Sequence, residues 1–252
     1  MQLPPLPDPR RGVFATMLVV DGAPRELDAH LARLGRSAAQ LYGVALPERR
    51  ARALVAQRAA GCALARLRLT FVPGAAGAPP ALEAVAREID RRIVLPGPDG
   101  ALTLATRPVA GWRGGHKWAD RALLERLEAD AAPHGALLVD AATGAVLETT
   151  RANVFCVDGD GTLRTPPLDG TILPGVTRAL VIALARAAGR TVREAPLRPA
   201  DLHAGAEVFA TGAVRGIEPV GALDGVALGG AGPVAAELAD ALARRWLAVD
   251  GA

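Results

Sequence analysis

Lysine is all but missing from this sequence. Lys and Arg together number 29, yet position 117 holds the only lysine, so arginine supplies every other permanent side-chain cation. Aromatic residues are scarce as well, at 3%, which removes the stacking platforms on which single-stranded nucleic acids are held. A pI near 9.5 does not restore nucleic acid as a partner, because the formal net charge is only +3 and the arginines alternate with acids instead of clustering. No apolar run approaches the roughly 20 residues that cross a bilayer, and the N-terminal MQLPPLPDPRR has no hydrophobic segment after its charges. A soluble, cytoplasmic protein is expected, with neither nucleic acid nor membrane as partner. The two cysteines, Cys62 and Cys156, lie far apart without metal-ligand spacing. They are expected to be buried free thiols, with no disulfide and no metal site.

What the chain does have is apolar mass: half of its 252 residues are hydrophobic, enough for a sizeable core in one large domain or two small ones. Val13 to Val20 predicts a strand, Asp21-Gly22 a hairpin turn, and Pro24 to Leu27 a second short strand. Asp28 is placed as the N-cap of a helix whose Leu31, Leu34, Ala38 and Leu41 recur at helical spacing. Further elements are a helix over Leu46 to Ala60, a strand over Cys62 to Val72, and a strand or poor helix over Leu82 to Ile93. The turn-rich Leu95-Pro96-Gly97-Pro98-Asp99-Gly100 is the expected domain boundary, giving a small α+β domain over 1–95 and a larger one over 96–252. The second part predicts strands at 102–109, 136–140, 146–149, 154–157, 207–211 and 217–220. Its helices are predicted from about Ala119 to Ala131, from Pro174-Gly175 to about Ala188, and from Val234 to Leu247. Short strands and helices without regular βαβ alternation argue for a mixed α+β fold.

Five stretches carry chemistry. Lys117 follows Gly114-Gly115-His116, a flexible approach that lets the backbone come close to a ligand. A lysine amine forms a reversible imine with a carbonyl and a guanidinium cannot, so a chain that keeps one lysine points to that chemistry. A nucleophilic lysine must be neutral, which burial or a neighbouring cation such as Arg113, His116 or Arg121 favours. Glu148 sits in an apolar strand and needs a partner, either an arginine or the protonated nitrogen of a heteroaromatic ring. Val176 and Thr177 open a helix after Pro174-Gly175, and such an N-terminus binds phosphate. Arg33, on the first long helix, suits the same anion. Thr211-Gly212-Ala213-Val214 puts small residues at a strand end, where backbone approaches an anion.

In this order the stretches resemble the class IV aminotransferases, the fold-type IV pyridoxal-phosphate enzymes, over nearly the whole chain from Phe14 to Val220. The resemblance implies a two-domain architecture with the active site between the domains, a homodimer, and pyridoxal 5′-phosphate as cofactor. It implies Lys117 as the Schiff-base lysine, Glu148 on the pyridine nitrogen, Arg33, Val176 and Thr177 on the phosphate, and Gly212 and Ala213 completing that cradle. Val214 would offer a backbone amide, and Arg113 and Arg215 would meet substrate carboxylates. Two departures stand out. Arg11-Gly12-Val13-Phe14-Ala15-Thr16 lacks the acids of the family's Gly-Asp-Gly-x-Phe-Glu-Thr stretch, and Ala213 lacks a hydroxyl that many members carry. After the lysine, Lys117-Trp118-Ala119-Asp120-Arg121 has no Gly-Asn-Tyr, the mark of branched-chain enzymes, and its arginine four residues on is lyase-like. The resemblance therefore implies a 4-amino-4-deoxychorismate lyase making 4-aminobenzoate, a folate precursor. The alternatives are a D-amino-acid or branched-chain-type aminotransferase, and a noncatalytic cofactor-binding paralogue.

Overall fold

The structure, a computed structural model, describes residues 5–75, 78–230 and 232–247. By packing it divides into two units. Of the described residues, the N-terminal unit comprises Pro7–Ile93, His116–Arg121 and residues 246–247, and the C-terminal unit comprises residues 5–6, Val94–Gly115 and Ala122–Arg245.

The N-terminal unit contains β1 (Val13–Val20), β2 (Ala23–Pro24), α1 (Leu27–Tyr42), α2 (Glu48–Ala59), β3 (Leu64–Val72) and β4 (Ala81–Glu88). Its four strands form an antiparallel sheet in the order β2-β1-β3-β4. Register gives the sheet two characters. Val13, Ala15 and Met17 pair with Phe71, Leu69 and Leu67, and all six are at most 1% exposed. The alternate residues Phe14 and Thr16 pair with Thr70 and Arg68 and point to the other face, since side chains alternate along a strand. Gly12 starts β1 at φ +86, where a Cβ would meet the Phe71 carbonyl oxygen at 2.0 Å. Only glycine serves there. Helix α1 buries Leu31, Leu34 and Ala38, and it also buries His30, Arg33 and Ser37. It closes on Gly43, left-handed at φ 65, whose amide donates to the Ala39 carbonyl.

The C-terminal unit holds β5 (Leu102–Val109), α3 (Ala122–Ala131), β6 (Gly135–Asp140), β7 (Val146–Thr149), β8 (Asn153–Val157), β9 (Leu163–Thr165), α4 (Val176–Ala187), β10 (Val192–Glu194), α5 (Pro199–Ala204), β11 (Glu207–Gly212), β12 (Gly216–Leu223) and β13 (Val226–Ala227). Helix α6 (Pro233–Leu247) follows. The sheet runs β10-β9-β8-β11-β12-β5-β6-β7, and β7 returns to pair with β8. That last pairing closes β5, β6, β7, β8, β11 and β12 into a six-stranded ring, sealed at the single pair Glu148↔Asn153. Leu104, Leu137, Val146, Val154, Cys156, Val208, Val220 and Leu223 form one buried cluster with Leu197 and Leu202. Each fully buried leucine or valine there contributes about 1.5–3 kcal/mol of transfer free energy.

Several expectations are corrected. Asp28 is not the N-cap of α1: the helix begins at Leu27, and Glu26 precedes it in a left-handed conformation without a side-chain cap. Leu82 to Ile93 is not one element, because β4 ends at Glu88 and a short 3-10 turn takes Arg91–Ile93. Helix α3 begins at Ala122, not Ala119, since the preceding residues hydrogen-bond to β1. Cys62 is half-buried, while Cys156 is buried. Strands β9, β10 and β13 and helix α5 were not expected. No described helix is long and apolar enough to cross a membrane.

Candidate active site

In the N-terminal unit, the lysine is held by a short antiparallel rung. The Phe14 amide donates to the Lys117 carbonyl at 2.9 Å and the Ala119 amide to the Gly12 carbonyl at 2.9 Å, with Val13 bridged to Trp118. This fixes the backbone of Lys117 although its side chain is long and flexible. Its Nζ lies 5.1 Å from the centroid of the Phe14 ring, and the Arg68 guanidinium lies 3.8 Å from the same centroid. Cations at this range are attracted to the ring quadrupole.

Helix α1 faces this segment with a buried polar stripe. His30, Arg33 and Ser37 follow the helical three-and-four spacing and are 2%, 5% and 5% exposed. Ser37 Oγ is 3.0 Å from His116 Nδ1, so the residue before the lysine is tied to α1. Burial pushes the His30 imidazole down to about 3, with the charges of Arg33 and Lys117 adding to the effect. His30 is therefore neutral at working pH, and its Nδ1 has no hydrogen-bond partner among the described residues. Burial also lowers the pKa of His116. The N-terminal unit thus gathers Lys117 and Arg33 around one neutral histidine.

In the C-terminal unit, the centre is Glu148, on β7 and buried. Its Oε2 accepts from Asn153 Nδ2 at 3.2 Å and from the Leu173 amide at 3.1 Å. Its Oε1 receives a longer contact, 3.4 Å, from the Trp112 indole N–H. All three are donors, the partners an ionised carboxylate takes. The register pairs Glu148 with Asn153, and Asn153 with Thr211, so these three form a cross-strand row on one face of the sheet.

Helix α4 starts beside that row. A Cβ on Gly175, its N-cap, would meet Asn153 Oδ1 at 2.1 Å. No side chain caps the helix, so the first-turn N–H groups around Val176 and Thr177 have no intrahelical acceptor. Thr177 is 3% exposed, and its hydroxyl has no hydrogen-bond partner among the described residues. Thr211, 2% exposed, likewise has a hydroxyl without one. Gly212 ends β11, and Ala213 and Val214 lie in the turn to β12. The loop before the lysine is packed tightly: the Gly115 amide donates to the Gly170 carbonyl at 3.0 Å, and a Cβ on Gly114 would strike the Thr171 carbonyl oxygen at 2.2 Å.

The two residues assigned to substrate carboxylates fare differently. Arg113 is exposed. Arg215 donates through Nε to Glu218, and Glu218, one residue past Ile217, points to the face opposite the row that Thr211 and Ile217 share. The sequence alone assigned no role to His30, Ser37, Trp112, Asn153 or Thr211. The polar residues interrupting the apolar stripe of α1 were a readable signal for the first two. Asn153 and Thr211 are significant only through cross-strand pairing.

The sequence model of the Amino-transferase class IV family matches residues 12–223. The chain belongs to that family. Among class IV aminotransferase relatives of known structure, a hypothetical aminotransferase from Mycobacterium tuberculosis in a PLP-bound form matches with a TM-score of 0.85 at 25% identity, over 98% of this chain and 94% of that one. A 4-amino-4-deoxychorismate lyase from Pseudomonas aeruginosa matches with a TM-score of 0.79 at 25% identity, over 96% and 95%. The branched-chain-amino-acid aminotransferase of Escherichia coli K12 is 41% identical over 86 residues, 34% of this chain and 28% of that protein. This match thus spans less than a third of the curated relative's own length.

Pyridoxal 5′-phosphate is the cofactor of this class IV chain, and the residues fit it. The orphaned Thr177 hydroxyl at an uncapped helix start suits a phosphate, the donor-lined Glu148 carboxylate suits a protonated ring nitrogen, and Lys117 is the one side chain here able to carry the aldehyde as a reversible imine.

Proposed function

We propose that this chain is a pyridoxal-phosphate-dependent 4-amino-4-deoxychorismate lyase, releasing 4-aminobenzoate and pyruvate. One observation carries the choice. The chain has a single tyrosine, and the hydroxyl of Tyr42 donates to the Pro9 carbonyl at 2.7 Å, so the tyrosine that follows the lysine in branched-chain enzymes has no counterpart here. Arg121 stands four residues after Lys117 instead, the lyase-like arrangement. The P. aeruginosa lyase, matched over 95% of its length, supports the same reading.

The bound cofactor supplies a carbonyl for the substrate amine and an electron-withdrawing ring. Lys117 would hold the cofactor through a reversible imine, and its amine, once free, would be the base that takes the proton from the substrate's amine-bearing carbon. Glu148 accepts the hydrogen bond of the protonated ring nitrogen, with Asn153 and the Leu173 amide orienting its carboxylate. Within the C-terminal unit the Val176–Thr177 turn, Gly212 and Ala213 would hold the phosphate, and Arg33, in the N-terminal unit, offers a guanidinium suited to the same anion. Cleavage of the ether C–O bond would leave its electron pair on the departing enolpyruvate oxygen, and the proton held by the Lys117 ammonium would pass to that fragment to give pyruvate. Aromatisation of the ring left behind helps to drive the step.

A second reading, an aminotransferase, is favoured by the 41% match to the E. coli branched-chain enzyme and by the M. tuberculosis relative with α-ketoglutarate and PMP bound. Purified protein is incubated with aminodeoxychorismate, and separately with amino acids and 2-oxoglutarate. Formation of 4-aminobenzoate without a keto acid supports the lyase. Turnover that requires the keto acid, with no 4-aminobenzoate, replaces it with the aminotransferase.

A further inference from the structure

Asn153 occupies a position that no single local role explains. It is 3% exposed, opens β8, and forms with Glu148 the only registered pair between β7 and β8, where the six-stranded ring closes. Its Nδ2 donates both to Glu148 Oε2 at 3.2 Å and to the Leu173 carbonyl at 2.9 Å. The Leu173 amide in turn donates to the same Glu148 oxygen at 3.1 Å. Side chain, carboxylate and turn therefore form a closed triangle. The far atom of the amide, Oδ1, stands where a side chain on Gly175 would have to be, 2.1 Å from an ideal Cβ. Gly175 has an ordinary extended conformation, φ -65 and ψ 132, so the requirement for glycine there comes from Asn153 and not from backbone strain.

A buried asparagine that merely satisfied itself would need partners of any kind. This one has chosen partners: the carboxylate proposed for the ring nitrogen, and the turn that aims the first N–H groups of α4. We infer that Asn153 is a positioning residue that locks the Glu148 carboxylate and the α4 N-terminus into one geometry, so that the ring-nitrogen contact and the phosphate contact are set together. The inference rests on the pyridoxal-phosphate reading of the site. Neither oxygen-for-nitrogen nor truncation is a conservative change here. Asn153→Asp sets an acceptor against a carboxylate and a carbonyl, and Asn153→Ala removes both donors at once.

The test uses the full chain, prepared without cofactor and titrated with pyridoxal 5′-phosphate by absorbance. Asn153→Ala is expected to weaken cofactor affinity by about 10- to 100-fold, the range typical when the group orienting a ligating side chain is removed, and to change the spectrum of the bound cofactor. Asn153→Asp is expected to bind worse than Asn153→Ala at pH 8 and to recover as the pH falls, because a protonated aspartic acid regains an O–H donor. Gly175→Ala is expected to lower the melting temperature of the cofactor-free protein, and adding Asn153→Ala to restore part of the loss. Wild-type affinity and spectrum in Asn153→Ala, or pH-independent binding by Asn153→Asp, would overturn the inference while leaving the cofactor reading intact. A wild-type chain that takes up no pyridoxal phosphate defeats that reading instead. In that case additive melting effects of Gly175→Ala and Asn153→Ala overturn the structural link as well.

Discussion

At the scale of single residues, what the chain lacks and what it buries lead to different kinds of residue. Lys117 was legible because every other position open to a lysine holds something else, and imine chemistry cannot be done by arginine. Glu148 was legible as an acid within an apolar strand. His30 was legible only as a polar residue within the apolar stripe of α1; its neutrality comes first from burial and then from the charges of Arg33 and of Lys117, the latter distant in sequence. That neutrality has a pH consequence. The folded pKa is near 3, below the value of about 6.5 for a free histidine, so between these values the unfolded chain binds the proton and the folded one does not. Stability associated with His30 is complete above about pH 6.5 and declines as the pH falls towards 3, by about 2 kcal/mol at pH 5. His30→Gln is expected to flatten this part of the profile. Urea melts of the cofactor-free protein at pH 7.5 and pH 5 check it: equal acid sensitivity in wild type and variant removes the assignment.

At the scale of elements, β5 and β7 lie where alternation and apolar runs put them, whereas β12 runs to Leu223, three residues past its expected end. The three-residue β9 and β10 escape, because their pairing is parallel between Leu163 and Val192, and a three-residue strand carries too little pattern to register. The start of α3 escapes for a related reason: the residues before it are claimed by β1, a partner about a hundred positions away. The first turn of α4 carries a buried hydroxyl, that of Thr177, with no hydrogen-bond partner among the described residues. A buried hydroxyl without a partner costs free energy, so Thr177→Val, which replaces it with a methyl of similar size, is expected to stabilise the cofactor-free protein by about 1 kcal/mol. The same change is expected to weaken cofactor binding. Thermal melts and a cofactor titration measure the two effects; a destabilised apoprotein would show that the hydroxyl has a structural role instead. At the other edge, Gly12→Ala puts a methyl onto the Phe71 carbonyl at a positive φ and is expected to destabilise by more than about 2 kcal/mol. A denaturant midpoint close to wild type would contradict that.

At the scale of the whole molecule, the composition limits what the chain can bind, and the packing decides where its chemistry sits. Few aromatics and a net charge of +3 point away from nucleic acid, whereas the return of His116–Arg121 to the N-terminal unit could not be read from neighbouring residues. It depends on the Phe14 and Ala119 amides finding carbonyls far along the chain. A cofactor that binds the folded chain and not the unfolded one stabilises it by mass action, by about 2.7 kcal/mol at a hundred times its Kd. For a chain of this length, that corresponds to a rise of about 5–10 °C in melting temperature. On the proposed site, Lys117→Ala removes the covalent part of the attachment but leaves Arg33, Glu148 and Thr177, so at the same cofactor concentration its rise should be much smaller and not zero. Borohydride should fix the cofactor to wild type alone, with the mass increase on the peptide that contains Lys117. Equal melting shifts in the two proteins, or a mass increase on any other peptide, would show that the lysine whose rarity first drew attention is not the attachment point.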